Sequence, residues 1–100
     1  MIIYSVTVKI DLEVHDEWFS WMKSKHIPDV LATKKFIDYK MLKVLVENES
    51  DGITYNIQYR AKTMSDYFDY QNELSAPLQK EHTEKYKDKF VAFRTLLKEV

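Results

Sequence analysis

Hydrophobic and polar residues alternate along the start of the chain, with Ile2, Tyr4, Val6, Val8, Ile10 and Leu12 interleaved with Ile3, Ser5, Thr7, Lys9 and Asp11. Successive strand residues face opposite sides of a sheet, so this period of two predicts a half-buried strand. From His15 to about Thr33 the period lengthens. Val14, Trp18, Trp21, Met22 and Val30 gather on one arc, opposite Asp16, Glu17, Ser20, Lys23 and Ser24, as in an amphipathic helix. Pro28 removes a backbone donor and disfavours helical geometry at Ile27, which predicts a kink or a short second segment. A second strand is expected over Phe36 to Glu47, where Leu42, Val44, Leu45 and Val46 make both faces apolar. Asn48 to Gly52 reads as a hairpin turn, with the only glycine of the chain where the backbone takes a positive φ.

The next stretch, Ile53 to Arg60, alternates cleanly: Ile53, Tyr55, Ile57 and Tyr59 on one side, Thr54, Asn56 and Gln58 on the other. Thr63 or Ser65 can cap a helix whose apolar row is Met64, Tyr67, Phe68 and Leu74. Pro77 predicts a break, after which Leu78, His82 and Tyr86 continue an apolar row at four-residue spacing. Phe90 to Leu97 reads as a last strand. The order is βαββαβ without linker or repeat, an α+β chain forming one domain over residues 1–100. Helical connections between strands, with the handedness rule for crossovers, make a ferredoxin-like arrangement the simplest topology. One antiparallel sheet then carries both helices on one face and leaves the other face open.

Placing Tyr4, Val6, Val8, Tyr55, Ile57, Val91 and Phe93 toward the helices puts Ile3, Ser5, Thr7, Thr54, Asn56, Gln58, Ala92, Arg94 and Leu96 on the open face, although Phe90 and Leu96 also suit the core and leave the phase of the last strand open. In a chain that is 31% charged, a solvated face should carry more lysine and glutamate. A covered face is therefore expected, most simply a homodimer formed by a second copy through the open sheet face. Arg94 is the one strong charge placed there. Its planar fork can hold a carboxylate or phosphate, with Thr7, Asn56 and Gln58 orienting the ligand, or it can bridge the two copies.

Composition narrows the classes. Fifteen basic and sixteen acidic residues give a net charge of −1, without the electrostatic footprint that nucleic acid or an anionic membrane requires. An apolar fraction of 45% marks a folded chain, and no apolar run is long enough for a transmembrane helix. The alternating start does not read as a secretory signal, and the chain has no cysteine, so the expected location is the cytoplasm. No paired His or Cys spacing predicts a metal, no glycine-rich loop predicts a nucleotide, and no cofactor is expected. His26 and His82 are the candidate catalytic groups, since an imidazole titrates near neutrality. Such a histidine is more often a structural one bonded to a backbone carbonyl, and the topology does not require the two to meet. Trp18 and Trp21, beside Met22, read as core.

Several segments together carry a family resemblance: Met1-Ile2-Ile3-Tyr4, Trp18-x-x-Trp21-Met22, His26-Ile27-Pro28-Asp29-Val30-Leu31-Ala32-Thr33, Tyr55-x-Ile57-Gln58-Tyr59, Ala76-Pro77-Leu78-Gln79 and Phe90-Val91-Ala92-Phe93-Arg94-Thr95. Over nearly its whole length the chain resembles a family of short bacterial proteins of unknown function. The resemblance implies a ferredoxin-like domain of the dimeric α+β barrel group, in which two sheets pack face to face, and transfers no active site. Members of that wider group include cofactor-free monooxygenases, isomerases, haem enzymes and ligand-binding domains, among which fold alone does not choose. Two functions are expected: a homodimeric small-molecule-binding or interaction domain, or a cofactor-free monooxygenase or isomerase acting on a small aromatic or carboxylated compound. A cavity holding an imidazole favours the enzyme. A filled sheet face with both histidines bonded to backbone favours interaction alone, and a purely structural subunit is the third possibility.

Overall fold

The computed structural model describes residues 1–100. Strands β1 (Ile2–Ile10), β2 (Asp38–Lys43), β3 (Ile53–Ala61) and β4 (Phe90–Lys98) form one sheet in the order β2-β3-β1-β4. Every neighbouring pair is antiparallel. Two helical runs connect the strands. The first joins α1 (His15–Trp21) to α2 (Ile27–Ala32) through a π turn at Met22–His26, and the second joins α3 (Met64–Asp69) to α4 (Ser75–Lys85) through a π turn at Tyr70–Leu74. This is the ferredoxin-like βαββαβ arrangement read from the alternation.

Two boundaries differ from that reading. β1 stops at Ile10, because Leu12–Val14 already winds into a single 3-10 turn that leads to α1. β2 covers Asp38–Lys43 instead of Phe36 to Glu47: Phe36 turns into the core, and past Val44, whose N–H still donates to the Thr54 carbonyl at 2.9 Å, the chain leaves its single neighbour. An edge strand has only one partner to hold its register. The hairpin turn returns through Gly52, at φ +152°, where an added Cβ would lie 2.8 Å from the Ile10 carbonyl oxygen. Both the backbone angle and the close approach require glycine here.

Each proline lies just past a π turn. In the first run the Ile27 N–H donates back to the Met22 carbonyl, and in the second the Ser75 N–H donates to the Tyr70 carbonyl. The wider turn gives room to a ring that would otherwise press on the carbonyl four residues back. Pro28 therefore neither breaks the run nor kinks it freely, and Pro77 sits in the first turn of α4, directly after its wide turn. Of the two candidate caps it is Thr63 that acts, its Oγ1 accepting the Asp66 N–H at 3.1 Å.

Trp18, Met22, Ile27 and Val30 of the first run, with Tyr70 and Tyr86 from the second half of the chain, pack on Tyr4, Val8, Ile10, Tyr55, Ile57 and Tyr59 of the sheet. Full burial of one such side chain is worth about 1.5–3 kcal/mol. β1 and β3 face the helices as their alternation predicts, but β4 has the opposite phase. Its register pairs Phe90 with Ile10, Ala92 with Val8 and Arg94 with Val6. Directly opposed residues share a face, so Phe90, Ala92, Arg94 and Leu96 point to the helical side, while Val91, Phe93, Thr95 and Leu97 lie on the open side.

Candidate functional site

A narrow cavity of about 40 Å³ lies between the sheet and the two helical runs. Strand alternation sends Tyr4, Val6, Val8, Ile57, Tyr59, Ala92 and Arg94 into it, the π turns bring His26 and Tyr70, and α4 contributes Gln79 and His82. The two histidines meet, their ring centroids 5.6 Å apart and nearly edge-to-face. The sequence reading did not bring them together, because their approach depends on how the two helical runs lie side by side. Trp21 adjoins both imidazoles at 5.3 and 5.9 Å, and Phe90 meets His82 edge-on at 4.5 Å.

His82 is held in one tautomer. The Trp18 indole N–H donates to its Nε2 at 2.9 Å, so the ring proton of the neutral imidazole resides on Nδ1. Burial, with the neighbouring His26 and Arg94 adding to it, pushes its pKa down to about 4. Burial also lowers that of His26, against the opposing pull of Glu81 and Asp29. Neither imidazole is bonded to backbone; His82 is held by the Trp18 side chain instead. His26 Nδ1 and the Gln79 side-chain nitrogen are buried without a hydrogen-bond partner, and both residues line the cavity.

Arg94 stands on the edge strand β4 and is exposed, its Nε donating to the Tyr4 hydroxyl at 2.9 Å. Burial raises the pKa of Tyr4, Tyr59 and Tyr70, so these phenols stay neutral near pH 7. Arg94 is then the one charged residue lining the cavity at neutral pH.

The four residues expected to form one polar pocket are divided between the two faces. Thr7 opposes Asn56 on the open face, and Gln58 opposes Ser5 there. Asn56 donates to Ser5 Oγ at 2.8 Å and to Thr7 Oγ1 at 3.0 Å, so the sheet itself satisfies this polar group. Arg94, expected beside them, lies across the sheet with the histidines. Gln79 entered only within the Ala76-Pro77-Leu78-Gln79 segment of the resemblance and not as a site residue: as one amide on a charged helix it gives no pattern, and only its buried side-chain nitrogen marks it. No group of three or more His, Cys, Asp or Glu side chains comes together that could hold a metal ion. No helix is long and apolar enough to cross a membrane.

The solved structures similar to this one share its fold at low sequence identity. An ethyl tert-butyl ether d (EthD) family protein of Bacillus halodurans superposes with a TM-score of 0.69 at 12% identity, over 100% of both chains. SnoaB of Streptomyces nogalater, a cofactor-independent oxygenase, gives 0.66 at 12% identity, over 98% of this chain and 92% of its own. A dimeric ferredoxin-like protein from an uncultured marine organism gives 0.65 at 16% identity, over 100% and 95%. No curated protein matches the sequence. One family does so over residues 1–100, and the chain accordingly belongs to DUF4286, a domain of unknown function with a ferredoxin-like fold.

Proposed function

We propose that this chain forms a homodimer through its open sheet face and binds a small molecule in the cavity between the sheet and the helical runs. The ligand reading rests on His26 Nδ1 and the Gln79 amide nitrogen, two buried polar atoms without partners on the wall of one cavity. A group left in that condition costs about 1–3 kcal/mol, and native domains hold few of them. A ligand in the cavity supplies what the chain does not. The dimer reading is supported by Val91 and Phe93, 67% and 63% exposed beside Leu97 and Leu42 on the open face, and by the dimeric ferredoxin-like relatives of the fold. Thr7, Asn56 and Gln58 then belong to the contact between copies, and Arg94 to the ligand. A cytoplasmic location accords with a chain free of cysteine.

A second reading, a cofactor-free enzyme with His26 as base, is favoured by the same unpartnered Nδ1. An imidazole kept neutral by burial can accept a proton from a bound compound. SnoaB offers a precedent in this fold for oxygenation without a cofactor.

Native mass spectrometry of protein purified from its producing cells tests both parts of the proposal. Twice the chain mass with one retained small molecule per chain is the expected species. The bare monomer at micromolar concentration would refute the dimer and the ligand together. Conversion of the retained compound on incubation, abolished in His26→Gln, would favour the enzyme over the binding domain.

A further inference from the structure

We infer that the cavity takes the carboxylate head of a small monoanionic compound, its oxygens held by the Arg94 guanidinium and the Gln79 amide, with His26 Nδ1 against the same head group. This rests on the reading that the cavity is a ligand site and goes further by naming the chemistry of the ligand. Donor geometry gives the first argument. Arg94 spends only its Nε on Tyr4, which leaves the two terminal nitrogens of its fork for a planar, two-oxygen acceptor. Gln79 turns its buried amide N–H toward the Tyr4 hydroxyl without closing a well-formed hydrogen bond to it, and His82, with Nε2 occupied by Trp18, carries its own N–H on Nδ1. Three kinds of donor thus border one space, and His26, whose tautomer no hydrogen bond fixes, can carry its proton on Nδ1 and donate to the same head group.

Charge gives the second argument. The phenols and imidazoles on the wall are neutral near pH 7, so Arg94 alone sets the charge of the site at +1, and one negative charge complements it. Size gives the third. About 40 Å³ exceeds the roughly 10–15 Å³ that one water needs but falls well short of the roughly 150 Å³ of an engineered cavity that admits benzene. A carboxylate head fits this space and an aromatic ring does not. Since Arg94 is exposed on an edge strand, the rest of the ligand extends past it toward solvent.

The site also couples binding to protons. His26, held neutral chiefly by burial, faces Glu81 and Asp29, which favour its protonation, and Lys25 and Arg94, which oppose it, with the neutral His82 ring beside it. Lys25 is itself paired with Asp29 and, at 3.8 Å, with Glu81. An anion entering beside His26 offsets the charge of Arg94, so binding draws a proton toward the imidazole.

Chemical-shift titration of the isotopically labelled protein with butyrate and with its neutral isostere butyramide tests the assignment. Butyrate is expected to move the Gln79 side-chain amide and the Arg94 Nε–H signals saturably, with butyramide weaker by about tenfold or more, the factor expected for a charge-assisted bond. Arg94→Gln, at an exposed position where folding is readily checked from spectral dispersion, should erase that preference. Equal affinity for butyramide would overturn the carboxylate assignment and leave the cavity reading intact. Shifts from both probes confined to residues outside the cavity would overturn both.

Discussion

His82 shows what burying an imidazole does to the molecule. Its folded pKa of about 4 lies below the ordinary value of 6.5. Above pH 6.5 neither the folded nor the unfolded chain protonates it, and stability is unaffected. Between 6.5 and 4 the unfolded chain binds a proton that the folded one refuses, so stability falls as the solution is acidified, by a total on the order of 3 kcal/mol. His82→Gln keeps an acceptor for the Trp18 N–H and removes the titration. Urea denaturation at pH 6.5 and pH 4.5 should then show a loss smaller by about 2 kcal/mol than in the parent, and a loss equal to the parent's would refute this account. At this scale the sequence was informative where one residue type has one physical use, as with Gly52 in its turn and Thr63 at its cap. It was silent where a residue matters through what another element brings beside it, as with Gln79 and the meeting of His26 with His82.

The helical runs carry a mark of their π turns that is visible in the spacing of buried positions. Met22 to Ile27 and Tyr70 to Ser75 are each five residues apart, where an α-helix returns to the same face after three or four. An extra residue in each run rotates the helix C-terminal to it, and the adjacent proline depends on that shift. Deleting Ser24, which is exposed, would restore α spacing to the core but put Pro28 inside a regular helix. We expect that deletion to destabilise the protein by about 3 kcal/mol and Pro28→Ala to restore most of the loss in thermal or chemical denaturation. Failure of that rescue would mean the proline is not what the wide turn accommodates. The strands were legible in period, whereas β4 was not legible in phase. Phe90, Ala92 and Leu96 on one side compete with Val91, Phe93 and Leu97 on the other, and alternation alone does not say which set is inside. The same ambiguity misplaced Arg94, one of the four residues of the expected pocket.

At the scale of the whole molecule, a sheet covered on one side by helices exposes Val91, Phe93, Leu97 and Leu42 on the other. Phe93→Glu places a charge at the centre of this patch without touching the core. Analytical ultracentrifugation should find the substituted chain monomeric with unchanged circular dichroism, and a persistent dimer would exclude this face as the interface. The fold was readable at this scale because six elements in order leave few topologies open. The proposed ligand site was not, because its groups come from both helical runs and both sides of the chain's midpoint. Strand β4 has a consequence of its own. In the proposed dimer its odd-numbered side chains face the second copy and its even-numbered ones the cavity, so one ribbon of backbone would serve both proposed equilibria. Where an anion steadies that ribbon, reciprocity requires that assembly and occupancy strengthen each other by the same factor. The protein would then hold its ligand more tightly when it is abundant and release it on dilution.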